Sequence, residues 1–150
     1  ITNNVERVSG EEEKVGLNCI KRIKNYFNEI QKHSKEVNKF FNKLKQEGKT
    51  ISIYGASTRG NTNILLSQIN ENIISFAYEK NSDKFGRYCP GTDILIKDEK
   101  SLLEDMPDYL IVMPYSFIEE FLIKESKYLE KGGKMVTLVP EIKIYDLEMK

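Results

Sequence analysis

Histidine occurs once in the 150 residues, at His33, and cysteine twice, at Cys19 and Cys89. One imidazole and two widely separated thiols leave zinc sites and Ser-His-Asp chemistry almost nothing to work with. No framework of paired cysteines is present either, so a reducing cytoplasm is the expected compartment. No apolar run approaches the roughly 18 residues that cross a bilayer, and no signal peptide is legible, so no membrane partner is expected. Excess charge of one sign is absent as well: Lys plus Arg number 23 and Asp plus Glu number 23, for a net charge of zero. Proteins that capture nucleic acid by its phosphates carry a net basic face, and this balance argues against such a partner. The chain opens on Ile1 rather than Met, as expected of a piece of a longer protein.

Proline is missing before residue 48, where the composition changes sharply. Residues 1–47 are charged and read as a long helix from about residue 11 or 17 to 46. Ser9 is its candidate cap, Glu11, Glu12 and Glu13 lie near its positive end, and Gly48 is its stop. Ile20, Phe27 and Phe41 form one register of a heptad pattern, and Ile23, Ile30, Val37 and Leu44 the other, broken at Ser34. Such a stripe needs a partner surface. Packing on its own domain or on a neighbouring domain is one reading, and a coiled-coil homodimer the other.

Residues 48–150 alternate short apolar runs with amphipathic stretches. Strands are expected at 50–54, 73–78, 109–113 and 134–139, with a short one at 94–96 and an edge strand in the terminal segment 142–150. Helices are expected at 59–69, 100–104 and 117–129. Strands alternating with helices pair in parallel through right-handed crossovers, giving an open α/β sheet.

In such sheets ligands gather beyond the carboxyl ends of the strands, where helix N-termini present N–H groups to anions. The junction Tyr54-Gly55-Ala56-Ser57-Thr58-Arg59-Gly60-Asn61-Thr62 lies there. Gly55 permits a tight turn, Ser57 or Thr58 can cap the helix or bond a phosphate, and Gly60 permits close approach. It is neither G-x-G-x-x-G nor a Walker A loop, and an ordinary capped turn accounts for it equally well. Glu79 closes the second strand about 24 residues after Gly55, near the position of a ribose-binding acid. The loop Lys84-Phe85-Gly86-Arg87-Tyr88-Cys89-Pro90-Gly91-Thr92 adds two cations suited to phosphate, Arg87 as a fork and Lys84 as a point charge. Tyr115, after the third strong strand, can stack on a base or cap the pocket, while Pro114 ends the strand and Ser116 caps the next helix. Cys89 has no base beside it to activate a thiol, and His33 sits on a charged stretch of helix.

Taken in order, Gly48-Lys49, Tyr54-Gly55-Ala56-Ser57, Gly60-Asn61-Thr62, Lys84, Gly86-Arg87-Tyr88, Pro90-Gly91-Thr92, Pro107-Asp108-Tyr109 and Gly132-Gly133-Lys134 carry a family resemblance. From about residue 40 to 140 the chain resembles the C-terminal domain of the sugar C-methyltransferases, which methylate a carbon of dTDP-linked keto-deoxysugars. It departs from that family at Arg59, where Lys is usual, at Glu79, where Asp is usual, and at Tyr115-Ser116, where Trp-Asn is usual. The resemblance implies a parent with a zinc-bearing N-terminal region and a central S-adenosylmethionine domain, followed by this Rossmann-like domain. It also implies deprotonation beside a keto group, then carbanion attack on the sulfonium methyl. The acid/base residues and zinc cysteines of that family lie in the other regions, so no catalytic or metal residue is expected here.

The expected architecture is therefore an α/β, Rossmann-like, mostly parallel sheet of four to five strands with flanking helices, spanning 48–150 and preceded by a long helix in 1–47. Its expected role is to bind a nucleotide-diphosphate sugar through Gly55, Ser57, Thr58, Arg59, Gly60, Asn61, Glu79, Lys84, Arg87, Tyr88 and Tyr115. No cofactor is expected on this chain, with S-adenosylmethionine left to a methyltransferase domain of the same parent. Two other readings stay open: a non-catalytic nucleotide-binding or assembly module dimerising through the N-terminal helix, and an NAD-type Rossmann domain.

Overall fold

The structure, a computed structural model, describes residues 2–17 and 19–147, apart from the side chains of Thr2, Asn3 and Arg59. It comprises two compact units, Ile1–His33 and Ser34–Lys150. The first holds α1 (Thr2–Lys14) and the opening turns of α2 (Ile20–Gln46). The expectation of one helix capped by Ser9 is corrected here, because Ser9 lies inside α1 and the chain turns at Gly16. Gly16 takes φ +69°. Its N–H donates to the Glu13 carbonyl at 2.9 Å, and that of Leu17 to Glu12 at 2.9 Å, the paired bonds that close a helix on a left-handed residue. Gly48 (φ +76°) closes α2 in the same way, with Lys49 N–H donating to Leu44 O at 3.0 Å.

The second unit is built on one six-stranded sheet: β1 (Ile51–Tyr54), β2 (Ala77–Glu79), β3 (Ile96–Asp98), β4 (Tyr109–Val112), β5 (Lys134–Thr137) and β6 (Lys143–Tyr145). The spatial order is β3-β2-β1-β4-β5-β6, parallel except for the antiparallel edge β6. Six strands replace the expected four to five because both short segments find partners along their whole length, the first at Ile96–Asp98 rather than the expected 94–96. Residues 73–78 behave differently from the expected strand. Ile73 and Ile74 are held in a turn on the Asn70 carbonyl, and pairing with β1 begins at Ser75, whose N–H donates to Ile51 O at 2.8 Å.

Helices α3 (Thr58–Leu66), α4 (Leu102–Asp105), α5 (Ile118–Lys124) and α6 (Ser126–Glu130) complete the unit. Side chains alternate across the strands, so the sheet buries both faces. Ile51, Ile53, Ile111 and Val136 pack with Val37, Phe41 and Leu44 of α2 and Ile64 of α3. Tyr54, Leu110, Val112 and Met135 pack with Leu102, Tyr128 and Leu129 on the other side. Each fully buried aliphatic side chain stabilises the fold by about 1.5–3 kcal/mol relative to exposure. The last turns of α2 thus serve the sheet's own core.

At the amino ends of the strands Asp108 ties β1 to β4. Its carboxylate accepts Thr50 N–H and Oγ1 at 2.8 Å each, and Lys49 Nζ at 3.2 Å. Lys134 N–H donates to the Asp108 carbonyl at 3.0 Å and Tyr128 OH to Pro107 O at 2.8 Å, so the Pro107-Asp108 and Gly132-Gly133-Lys134 segments are framework.

Candidate functional site

The strand order reverses direction between β1 and β4, and the crevice above such a reversal is where open α/β sheets hold ligands. The residues leaving β1 and β4 shape it. Gly55 has φ +80°, and a Cβ there would lie 2.8 Å from Pro114 Cγ and 2.9 Å from Cδ. A Cβ on Gly60 would lie 2.5 Å from Met113 Cβ and 2.7 Å from its Sδ. The β1–α3 turn can therefore lie against the β4 exit only with glycine at both places. Ser57 caps α3, its Oγ accepting Gly60 N–H at 3.2 Å. The N–H groups of Thr58 and Arg59 have no acceptor within the helix by position, and they point out of its positive end.

The opposite wall is the segment after β2. It is not the open loop that its glycines and proline suggest. Gly86 N–H donates to Ile96 O at 3.0 Å, Ile96 N–H to Arg87 O at 2.8 Å, and Cys89 N–H to Ile94 O at 2.9 Å, making a folded-back arc. Two side chains tie this arc to the first wall. Asn61 Nδ2 donates to Pro90 O at 2.7 Å, and Lys84 Nζ to Ala56 O at 3.0 Å.

Between the walls lies a cleft of about 220 Å³ lined by Ala56, Ser57, Thr58, Asn61, Lys84, Arg87, Tyr88, Cys89, Pro90, Ile96 and Met113. Six of the expected residues, Ser57, Thr58, Asn61, Lys84, Arg87 and Tyr88, meet there. Gly55 and Gly60 act through the backbone beneath it. Glu79 stands one step back: its Oε2 accepts Lys84 Nζ at 2.8 Å, and its Oε1 accepts the N–H groups of Lys80 at 2.8 Å and Asn81 at 3.2 Å. Burial raises the affinity of this carboxyl for its proton. The Lys84 ammonium and the two backbone N–H groups outweigh that, holding it below the usual carboxylate range. Tyr115 opens a 3-10 turn (Tyr115–Phe117) after β4, exposed and outside the lining of the cleft. That turn begins on Pro114, and no side chain caps the helix that follows, so the expected Ser116 cap is corrected. Of Arg59 the backbone starts α3, and its side chain lies outside the described residues.

Ala56, Cys89, Pro90, Ile96 and Met113 were not among the expected binding residues, yet they line the cleft. They form an apolar floor and rim, and only the strand order brings them together. Burial raises the Cys89 thiol above its ordinary value, so it serves as a small apolar contact and not as a nucleophile. Among the described residues no cluster of His, Cys, Asp and Glu could hold a metal ion. No described helix is long and apolar enough to cross a membrane.

The charge of the cleft selects its chemistry. Arg87 makes no ion pair among the described residues, Lys84 keeps one of its three N–H donors beyond Glu79 and Ala56, and the α3 terminus adds positive potential. These groups favour an anion. They oppose the sulfonium of S-adenosylmethionine, so the residues present do not fit that group here.

A family model described as the C-methyltransferase C-terminal domain matches residues 1–140. Among curated proteins, C-methyltransferase NovU of Streptomyces niveus is 28% identical over 102 residues, covering 68% of this chain and 24% of that protein. The chain thus spans less than two thirds of that relative's length. With the family match extending from its first residue through β5, the chain belongs to the C-methyltransferase C-terminal domain family.

Proposed function

We propose that this chain positions a nucleotide-diphosphate sugar for a C-methyltransferase, holding the diphosphate between the start of α3 and the arc that follows β2. The observation that carries the reading is the meeting of Ser57 and Thr58 with Lys84 and Arg87 around one cleft with an apolar floor. Phosphate oxygens accept from the leading N–H groups of α3, from the Arg87 fork and from the remaining N–H of Lys84. Glu79 orients Lys84 and keeps one acceptor position on Oε2 for a ribose hydroxyl. Tyr88 offers a half-exposed ring on the cleft wall for stacking.

This chain's share of the reaction is placement of the sugar, a contribution worth several kcal/mol when reacting atoms are held at attack distance. S-adenosylmethionine and the methyltransferase domain that binds it belong to a longer parent, so this chain binds and does not turn over alone. Calorimetry with dTDP, NAD and S-adenosylmethionine tests the reading. dTDP is expected to bind most tightly, and a preference for NAD would overturn the assignment. Arg87→Ala is expected to weaken dTDP by about 1.5–3 kcal/mol with its thermal unfolding unchanged.

A further inference from the structure

Asn61 is the one polar side chain of the cleft lining that is buried, at 8% exposure. Its Nδ2 is committed to the Pro90 carbonyl at 2.7 Å. That bond fixes the amide, since turning it over would set Oδ1 against the Pro90 oxygen. Oδ1 is buried and finds no donor on the protein. The potential donors around it, Ser57, Thr58, Lys84, Arg87 and Tyr88, line the same cleft without reaching it. A buried acceptor left unpaired is costly and uncommon, and Asn61 belongs to the lining of the cleft that a ligand would enter with a donor of its own.

Resting on the function proposed above, we infer that Asn61 Oδ1 is a specificity-determining acceptor that selects a ligand carrying an N–H or O–H donor beside its phosphates. Two parts of a nucleotide sugar supply that chemistry: the imide N–H of a thymine or uracil ring, and a hydroxyl of the sugar. Cytosine presents an acceptor in place of the imide N–H. The Pro90 bond makes Asn61 part of the wall as well, so its replacement by alanine removes both a strut and an acceptor. Asn61→Asp keeps the acceptor and gives up the donor.

Dissociation constants of dTDP, dCDP and dTDP-glucose for the wild-type chain, Asn61→Ala and Asn61→Asp test this. If the base supplies the donor, wild type prefers dTDP to dCDP by about tenfold. If the sugar supplies it, wild type prefers dTDP-glucose to dTDP by a similar factor while treating dTDP and dCDP alike. In either case Asn61→Ala brings the ratio to within about twofold, and Asn61→Asp retains it even though its charge weakens all three ligands. A folded Asn61→Ala chain with unchanged ratios overturns the inference, as does a wild-type chain that binds all three without preference, a result that needs no variant. Failure of wild type to bind any of the three overturns the cleft reading and this inference with it.

Discussion

Gly60 and Gly86 stand on opposite walls of the cleft for different physical reasons, and their substitutions separate the two. Gly60 is crowded, since a Cβ would press on Met113, whereas Gly86 has open space around it but holds φ +73°. Gly60→Ala is expected to cost about 1–3 kcal/mol through overpacking, and Gly86→Ala about 1–2 kcal/mol through its left-handed backbone. Asn, which tolerates that conformation, should recover most of the loss at 86 and none at 60, as urea midpoints would show. The ion-paired carboxylates set the acid response. Asp108 is held below its usual range by the Thr50 N–H, Asp105 by the Lys97 ammonium, and Glu79 by the balance described above. Because all three are lowered on folding, their contribution is complete above the unfolded-chain values near pH 4 and is lost as pH falls through the folded ones. Urea midpoints are expected to drop steadily on acidification below about pH 5. Asp108→Asn should lower the midpoint at pH 7 and flatten that drop.

Along α2 a single heptad stripe meets two fates. Phe41 is fully buried, edge-on to Phe40 at 5.0 Å, whereas Phe27 is 59% exposed. Phe41→Ala is expected to cost about 3–5 kcal/mol and Phe27→Ala less than about 0.5 kcal/mol in dilute solution. A concentration-dependent sedimentation coefficient that Phe27→Ala abolishes would instead assign the outer stripe to self-association. The stripe was legible from its spacing, but which part of it is covered depends on Val37, Phe41 and Leu44 reaching the sheet. Strands β1, β4 and β5 were legible too, because strands buried on both faces are dense in apolar and β-branched residues. Helix ends were harder. Gly48 announces the stop of α2, but the chain turns left-handed after α3 at Gln68 (φ +53°) and after α4 at Met106 (φ +41°), residues whose identity does not advertise such a turn. The part of the arc from Gly86 to Thr92 read as a loop because its order comes from backbone pairing with residues 94–96 and not from periodicity.

For the molecule as a whole, the strand order does what no local motif could. It brings the β1–α3 turn, the arc after β2 and the exit of β4 to one crevice at the carboxyl end of the sheet. Gly55, Ser57 and Arg87 were legible as a turn, a cap and a cation. The pairing of Glu79 with Lys84 follows from the tight turn at Ser82–Lys84 just after β2, and the floor of Ile96 and Met113 from the strand order. The Asp108 clamp belongs to the other end of the sheet, so the segments that carry the family resemblance divide into a framework group and a cleft group. This division supplies an internal control for the most direct test, a backbone-amide NMR titration of the chain with dTDP. The account predicts saturable shifts concentrated at residues 55–61 and 84–90, with the amides of Thr50, Asp108 and Lys134 unmoved. Shifts centred on the Asp108 end, or none anywhere at millimolar dTDP, would contradict it.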